Sequence, residues 1–376
     1  MRGGIVNYFV TGATGFIGRY LVDKLLARGG TVYVLVRPQS MSRFEALRQS
    51  WGEDADRVVP VAGDLEQPAL GVSAGDVARL KGQVRHFFHL AAIYDLSASA
   101  EAQQAANVLG TEHAMQFAAA VDAGCFHLTS SIAAAGLYRG TFREDMFEEA
   151  TGLDHPYFRT KHDSEAIVRN GCPVPWRVYR PGIVIGHSKT GQIDKVDGPY
   201  YFFKMIQKLR HALPAWFPLI GFEGGYINLV PVDYVVDAMD HLAHLDGHDG
   251  ECFHLADPRP RRVGEVLNLF ARVGHAPTMA FRLDPRLFDF IPAGVTASLT
   301  DYKPLQQVVD TILRDLRIPR DVMKFFNWQT RFDCYQAVRL LEEADIRVPS
   351  LEDYAWRLWD YWERHLDPDL SLDHSL

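Results

Sequence analysis

Cysteine is scarce in this chain, and long hydrophobic runs are missing from it. Its four cysteines lie far apart and show neither a metal-binding spacing nor a disulfide framework. No uninterrupted apolar stretch approaches the roughly 18 residues that span a bilayer, and residues 1–6 lack the basic segment and apolar core of a signal peptide. We therefore expect a soluble, cytoplasmic protein without an integral membrane segment.

Basic residues are also in deficit. The chain has 39 lysines and arginines against 47 aspartates and glutamates, which gives a formal net charge of −8. A nucleic-acid surface needs a basic face, so this balance argues against a nucleic-acid partner. Hydrophobic residues make up 47% of the 376 residues, which is enough for one large domain or two modest domains with separate cores.

Glycines at every third position follow an apolar run near the amino terminus. The stretch 6–18 is typical of a strand, a tight turn and the start of a helix. Gly12 lets the backbone leave the strand, Gly15 leaves room for a pyrophosphate, and Gly18 lets the helix approach the sheet. An ordinary glycine-rich loop is the alternative, but the flanking strand and amphipathic helix favour dinucleotide binding. The predicted contacts are Thr11, Gly12, Thr14, Gly15, Phe16, Ile17 and Gly18.

The second predicted strand, residues 31–36, ends beside a cation. Arg37 stands where the adenosine ribose is expected, and an arginine at that point accommodates the 2′-phosphate of NADPH. An acidic residue would instead bind the 2′-hydroxyl of NADH. NADPH is therefore the predicted cofactor, a solvent-exposed Arg37 is the alternative, and Arg43 is a weaker second candidate.

The carboxyl ends of the next two strands are expected to meet the cofactor as well. After the strand predicted at 58–62, Asp64 either accepts from the adenine amino group or caps a helix. The strand predicted at 84–90 runs into Ala91 and Ala92, whose small side chains leave space for the cofactor. Further predicted contacts are Leu65, Pro181 and Ile183.

Strands and helices alternate through the first half of the chain. A helix predicted over 101–121 precedes a fifth strand at 125–129. This rhythm predicts an α/β fold of the Rossmann type, a doubly wound parallel sheet that binds ligands beyond the carboxyl ends of its strands. We expect the nucleotide-binding domain over residues 1–190, with a returning segment at about 226–256. A smaller, mostly helical substrate-binding region should cover 191–376.

The spacing of Tyr157 and Lys161 puts a phenol and an ammonium on one helical face. The same spacing begins at Tyr20 and Tyr200, but only Tyr157 follows a strand that ends in serines, at 130–131. A phenol can give a proton to a carbonyl oxygen, a nearby ammonium favours the phenolate, and a serine hydroxyl can stabilise a developing alkoxide. The residue types therefore suit reduction of a carbonyl, and a surface helix pair is the alternative.

Together these motifs resemble the extended short-chain dehydrogenase/reductase family. Asn107 before the pair Gly110-Thr111, and the stretches 180–182 and 228–233, match later landmarks of that family. Its catalytic serine stands five residues before a glycine, as Ser131 stands before Gly136, which favours Ser131 over Ser130. The resemblance implies four catalytic residues and no metal: Ser131 for the oxyanion, Tyr157 as general acid, Lys161 as its tuner and ribose ligand, and Asn107 in a proton relay. It also implies a homodimer through the helices that carry Asn107 and Tyr157.

Longer stretches resemble the amino-terminal reductase half of bacterial two-domain fatty acyl-CoA reductases. They are residues 8–12, 130–136, 142–149 and 194–203. The resemblance implies an NADPH-dependent reductase that converts long-chain fatty aldehyde to fatty alcohol, with fatty acyl-CoA as a second candidate substrate. Because the chain ends where that family continues into a second reductase domain, it implies one NADPH site. The alternatives are hydroxysteroid or nucleotide-sugar chemistry, or a non-catalytic NADPH-binding protein.

Three features of the second half leave alternatives open. Aromatic stretches at 198–206 and 213–220 either wall an apolar channel or form plain core. A basic group either meets the phosphates of coenzyme A or forms a solvated helix face; it comprises Lys204, Lys208, Arg210 and His211. Three histidines share a helical spacing, but no carboxylate or cysteine completes a zinc set with them, so no metal is predicted; they are His241, His244 and His248.

Overall fold

The computed structural model describes residues 6–93, 98–194, 196, 198–283 and 328–369. The chain divides into two compact units. The first comprises Met1–Val184, Val232–Pro258 and Phe332–Val348, and the second comprises Ile185–Pro231, Arg259–Arg331 and Pro349–Leu376. The described α-helices are α1 (Phe16–Ala27), α2 (Met41–Arg48), α3 (Ala74–Leu80), α4 (Ala100–Gln103), α5 (Gly110–Ala120), α6 (Pro156–Gly171), α7 (Phe203–Ala212), α8 (Val232–Ala243), α9 (Val263–Val273), α10 (Tyr335–Glu342) and α11 (Leu351–His365).

A seven-stranded parallel sheet forms the centre of the first unit. Its strands are β1 (Asn7–Thr11), β2 (Val32–Val36), β3 (Val58–Ala62), β4 (Val84–His89), β5 (Cys125–Thr129), β6 (Trp176–Pro181) and β7 (Cys252–Leu255). They lie in the order β7-β6-β5-β4-β1-β2-β3, with every neighbouring pair parallel. The order reverses direction at β1, where ligands bind in such sheets. The predicted doubly wound Rossmann-type sheet is confirmed.

Short strands complete the described structure. They lie at Thr141–Phe142, Ile183–Ile185, Leu219–Phe222, Tyr226–Ile227, Leu229–Pro231, Arg261–Arg262, Met279–Leu283 and Arg331–Phe332. Of the described helices, none combines the length and apolar character that crossing a bilayer requires.

One face of the sheet is held by aromatic packing. The Phe9 ring on β1 lies 4.9 Å from Phe87 on β4 and 4.9 Å from Phe117 on α5, and Phe87 stacks 5.3 Å from Phe126 on β5. All four side chains are fully buried. Aromatic pairs of this kind contribute about 0.5–1.5 kcal/mol each beyond the area that they bury. They hold α5 against β1 and β4, and thereby place the residues that precede α5.

The opposite face of the sheet is polar although it is buried. His86 and His127 are hydrogen-bonded at 2.9 Å, His127 bonds the Tyr179 hydroxyl at 3.0 Å, and the Tyr8 hydroxyl bonds His244 of the segment after α8 at 3.1 Å. Burial lowers the pKa of His86 to about 3, so this ring is neutral at physiological pH. Because His244 is engaged here while His248 pairs with Glu251, these two of the three histidines considered for zinc have separate partners.

The helix predicted over 101–121 is divided into three segments. Helix α4 is followed by a π-helical segment at Gln104–Leu109, and only then does α5 begin. A single-residue insertion of this kind does not change the apolar spacing enough to be visible in the sequence, and such segments often occur at functional sites. Asn107 lies in the middle of it.

Residues 332–348 lie in the first unit, whereas the sequence placed them in the substrate-binding region. A buried carboxylate holds them there. Glu144 accepts N–H bonds from Gln336 at 2.7 Å and Ala337 at 3.1 Å in the first turn of α10, and from His254 on β7 at 2.9 Å. Orphan N–H groups at a helix start favour such an acceptor. Glu144, in the stretch 142–149, therefore has a structural role.

The second unit has an aromatic core. Phe203 on α7 packs 4.6 Å from Phe270 on α9 and 5.0 Å from Trp359 on α11. The stretch 198–206 therefore contributes core residues, which include Tyr200, Phe202, Phe203 and Ile206. Within the stretch 213–220, by contrast, the Trp216 side chain is 80% exposed.

The basic side chains of α7 have acidic partners inside the second unit. Lys204 Nζ lies 2.8 Å from Asp367 and 2.5 Å from Asp369, and Arg210 lies 2.7 Å from Glu363. Lys204 and Arg210 are therefore engaged in ion pairs, which neither reading of this basic group included, and a contact with coenzyme A phosphates stays a prediction. The sequence could not reveal this, because the acidic partners lie more than 150 residues further along the chain.

Candidate active site

The turn after β1 is built for close backbone approach. Gly12 has φ +75°, and a Cβ there would lie 2.7 Å from the Ala91 nitrogen. The Gly15 N–H donates to the Gly12 carbonyl at 3.0 Å, and a Cβ on Gly18 would overlap that same carbonyl. Gly15 is the N-cap of α1 and has no side chain with which to cap it. The first N–H groups of α1 are thus left for an anion, as a dinucleotide pyrophosphate requires.

Replacing Gly18 by alanine is expected to disrupt this turn. The added Cβ would overlap the Gly12 carbonyl and lie 2.7 Å from the Ala13 Cα, and both are backbone atoms that cannot move without deforming the turn. We expect at least a tenfold loss of NADPH affinity and a lower melting temperature. Fluorescence titration with NADPH and thermal unfolding measure the two effects.

Gly171 provides the matched control, because a Cβ at this end of α6 would meet nothing within 4 Å. Gly171→Ala should bind NADPH as the wild type does. Wild-type affinity in Gly18→Ala would contradict the assigned turn.

Other predicted cofactor residues lie along the carboxyl edge of the sheet. Arg37 is exposed and directly precedes a short 3-10 turn at Pro38–Ser40. The Asp64 carboxylate accepts from the Glu66 N–H at 3.1 Å, so it closes a local turn and does not cap a helix. Its contact with adenine stays a prediction. The remaining positions on this edge are Leu65, Ala91, Ala92, Pro181 and Ile183.

Lys161 is a buried cation with little to bind in the protein. Its Nζ donates to the Thr129 carbonyl at 3.4 Å, and this is its one hydrogen bond among the residues described. Burial lowers the pKa of Lys161 to about 8, so the ammonium still predominates at neutral pH. The neighbouring Thr129 hydroxyl is also buried, and it has no hydrogen-bond partner among the described residues. The Lys161 ammonium, with its single acceptor, and the unpaired Thr129 hydroxyl, together with the glycine turn, fit a nicotinamide ribose and its hydroxyls.

Tyr157 enters the site on the first turn of α6. Its N–H donates to His155 Nδ1 at 3.2 Å, and Pro156 occupies the first helical position, so the helix start is well defined. Tyr157 is half-buried, and Lys161 follows one turn later on the same face.

The two serines after β5 are used differently. Ser130 is buried, and its hydroxyl donates to Glu165 at 3.1 Å. Ser131 is half-buried, and its Oγ accepts the Ala133 N–H at 3.1 Å, which leaves its own proton to donate. This difference supports Ser131 as the residue that meets substrate. The catalytic assignment itself stays a prediction.

A buried ion pair that the sequence did not reveal anchors α6. Arg180 on β6 forms two hydrogen bonds with Glu165, from Nε at 2.9 Å and from a terminal nitrogen at 2.5 Å, and Arg169 adds a third at 2.7 Å. Burial alone would raise the pKa of Glu165, but the two arginines lower it to about 2. Glu165 lies one turn beyond Lys161, so the pair sets the position of the helix that carries Tyr157.

Asn107 joins two other parts of the site. Its amide nitrogen donates to the Ile93 carbonyl at 2.9 Å and to the Thr160 hydroxyl at 3.1 Å, and its oxygen accepts the Ile93 N–H at 2.7 Å. The side chain therefore ties the segment after β4 to α6. Its role in a proton relay stays a prediction.

Residues 10–239 match the family described as Male sterility protein. The chain belongs to this family of NAD-binding domains. It is 28% identical over 375 residues to a linear gramicidin synthase of Brevibacillus parabrevis, covering 94% of this chain and 7% of that protein. It is also 28% identical over 273 residues to aldehyde reductase lnbA of Aspergillus flavus, covering 66% and 26%. The chain thus spans about a quarter or less of these two relatives.

Solved structures share the fold. The terminal R domain from the myxalamid PKS-NRPS biosynthetic pathway is 25% identical, has a TM-score of 0.75 and is covered over 93% of its length by 98% of this chain. MoeE5 in complex with UDP-glucuronic acid and NAD has a TM-score of 0.61 at 19% identity, which shows the fold alone. For this member of the Male sterility protein family, the predicted NAD(P)-binding reductase domain of the extended short-chain dehydrogenase/reductase type is confirmed. These matches do not test the narrower resemblance to fatty acyl-CoA reductases.

Proposed function

We propose that the chain is an NADPH-dependent reductase that converts long-chain fatty aldehydes to primary alcohols. One observation carries the proposal: Tyr157 lies one helical turn from the buried ammonium of Lys161, on the helix that follows the serines at 130–131. A buried cation with a single protein acceptor among the described residues is costly unless a ligand uses it. A non-catalytic NADPH-binding protein would need neither the phenol nor the Ser131 hydroxyl.

The chemistry follows from these groups. NADPH, when bound, supplies a hydride to the carbonyl carbon. Tyr157 gives its proton to the carbonyl oxygen, and the Lys161 ammonium stabilises the phenolate that remains. The Ser131 hydroxyl donates a hydrogen bond to the oxygen while negative charge develops on it. Carbon gains two electrons and oxygen gains one proton, so an aldehyde becomes a primary alcohol.

An acyl thioester is a second candidate substrate. Hydride and proton addition to its carbonyl would give a hemithioacetal, which expels the thiol and leaves an aldehyde. A second hydride and proton would then give the alcohol, so two NADPH are consumed. The thiol of such a substrate could belong to coenzyme A or to a thiolation domain, and both kinds of thioester are candidates.

A substrate panel tests the proposal. NADPH absorbance is followed with decanal, palmitoyl-CoA, a palmitoyl thioester on a thiolation domain, a ketosteroid and a nucleotide sugar. We expect turnover with decanal, and turnover with either thioester would add the second activity. Turnover of only the steroid or the sugar, or NADPH binding without any turnover, would overturn the proposal.

The preference for NADPH is proposed to depend on Arg37. A guanidinium that binds the 2′-phosphate contributes about 1.5–3 kcal/mol, which corresponds to roughly 10- to 150-fold in affinity. We expect Arg37→Ala to raise the KM for NADPH by about this factor and to leave the KM for NADH unchanged. Initial rates with both cofactors measure it. Arg364→Ala, at an exposed position on α11, is the control, and Arg43→Ala tests the second candidate. An equal rise in the KM for NADPH and for NADH would show that Arg37 does not bind the 2′-phosphate.

We also propose a homodimer through the two helical regions that carry Asn107 and Tyr157. The exposed positions around α5 are mostly polar, although Leu109 is 45% exposed. Size-exclusion chromatography with light scattering gives the oligomeric state. A monomer at assay concentration would refute this arrangement without affecting the proposed chemistry.

A further inference from the structure

A buried chain of hydrogen bonds runs across the sheet below the glycine turn. His89 Nδ1 on β4 lies 2.8 Å from the Thr11 hydroxyl on β1, and His89 Nε2 lies 3.1 Å from the Thr111 hydroxyl on α5. The Thr111 hydroxyl in turn donates to the Asn107 carbonyl at 2.6 Å. Each of these four residues is at most 2% exposed. The chain is therefore shielded from bulk solvent.

The direction of every bond in this chain is determined. Because the Thr111 hydroxyl gives its proton to the Asn107 carbonyl, its oxygen must accept the His89 Nε2–H. His89 Nδ1 must then accept the Thr11 proton, and the Thr11 oxygen accepts the Ala91 N–H at 3.3 Å. One neutral tautomer of His89 satisfies all of these bonds.

His89 keeps this tautomer throughout the range of an enzyme assay. Burial, with a smaller effect from the Lys161 charge, lowers the pKa of His89 to about 3. The ring therefore stays neutral, and the order of donors and acceptors does not change with pH.

The chain continues to the catalytic helix through the side chain of Asn107. Its amide nitrogen donates to the Thr160 hydroxyl at 3.1 Å, and the Thr160 hydroxyl lies 3.4 Å from the Tyr157 carbonyl. Thr160 directly precedes Lys161. A continuous path thus joins the cofactor-binding strand β1 to the turn of α6 that bears the phenol and the ammonium.

We propose that His89 is a positioning residue of the reductase site, which holds α6 in register with the glycine turn through Thr111 and Asn107. The inference rests on the proposed function and adds a residue to it. An apolar side chain at this depth would avoid the desolvation of an imidazole, so packing alone does not explain a histidine there. Hydride transfer does explain it, because a displacement of about 1 Å between reacting groups can cost 100-fold in rate.

Two substitutions at Thr111 isolate the hydroxyl. Thr111→Val keeps the shape but removes both the donor to Asn107 and the acceptor for His89, whereas Thr111→Ser keeps the hydroxyl. We expect Thr111→Val to lower kcat for decanal at least tenfold while the KM stays within threefold. Thr111→Ser should remain within threefold of wild-type kcat. Val61→Ala, in the buried core of β3, controls for a general loss of stability and should keep kcat within twofold.

A second measurement does not depend on turnover. Amide hydrogen exchange of peptides covering 104–109 and 156–165 should be faster in Thr111→Val and in His89→Leu than in Val61→Ala at equal thermal stability. If the wild type reduces no carbonyl substrate, the proposed function fails, and this exchange experiment still tests the chain. Wild-type kcat in Thr111→Val, a loss that Thr111→Ser shares, or unchanged exchange in these two regions would each overturn the positioning role.

Discussion

Tyr157→Phe is expected to bind NADPH as the wild type does and to lose turnover by about 10²- to 10⁴-fold, the usual contribution of a general acid. The change removes a single oxygen atom from a half-buried ring and leaves the glycine turn and Lys161 in place. Without the phenol the proposed site lacks its general acid. Single-turnover rates with decanal and fluorescence titration with NADPH measure the two quantities separately.

Tyr20 supplies a matched control, because it begins the same Tyr-x-x-x-Lys spacing on α1. There Lys24 is paired with Asp237 at 2.5 Å, so the lysine is not available to a neighbouring phenol. Tyr20→Phe should retain wild-type turnover. Substantial activity in Tyr157→Phe would show that Tyr157 is not the general acid. An equal loss of turnover in both variants would show that the pair on α6 is no more important for turnover than the pair on α1.

Features that depend on neighbouring residues could be predicted from the sequence. The turn at Gly12 and Gly18 is recognisable because the steric need for glycine arises within a few residues. Strands β3 and β5 were predicted with the bounds that the structure has, since short apolar runs between turn residues determine them locally. The placement of Tyr157 and Lys161 on α6 follows from helical spacing in the same way.

Features that depend on distant partners could not be predicted. Arg180 was noted only as part of a family landmark, and nothing local indicates that it binds Glu165 on the preceding helix. His89 looks like an ordinary strand residue until Thr11 and Thr111 are brought to its two ring nitrogens, from 78 and 22 residues away. The contacts that orient the candidate site are therefore harder to predict from the sequence than the site residues themselves.

Removing the carboxylate of the buried ion pair that anchors α6 is expected to cause a large loss of stability. Glu165→Ala should lower the free energy of unfolding by about 3–5 kcal/mol, the usual cost of removing one partner from a buried pair. The substitution leaves Arg180, which is 1% exposed, without its carboxylate, and it also removes the acceptor for Ser130. Urea denaturation at neutral pH measures the difference. Glu112→Ala, at an exposed position on α5, is the control and should change stability by less than about 0.5 kcal/mol.

The pH dependence of this effect provides a sharper test. The pKa of Glu165 is about 2 in the folded protein against 4.5 for the free side chain, so its depressed value stabilises the folded state above pH 4.5. That contribution is lost as the pH falls from 4.5 towards 2, because the unfolded chain takes up the proton first. Glu165→Ala lacks the group, so the stability gap between the wild type and this variant should narrow as the pH falls below 4.5. A gap that stays constant between pH 7 and pH 3 would mean that Glu165 contributes packing and not charge.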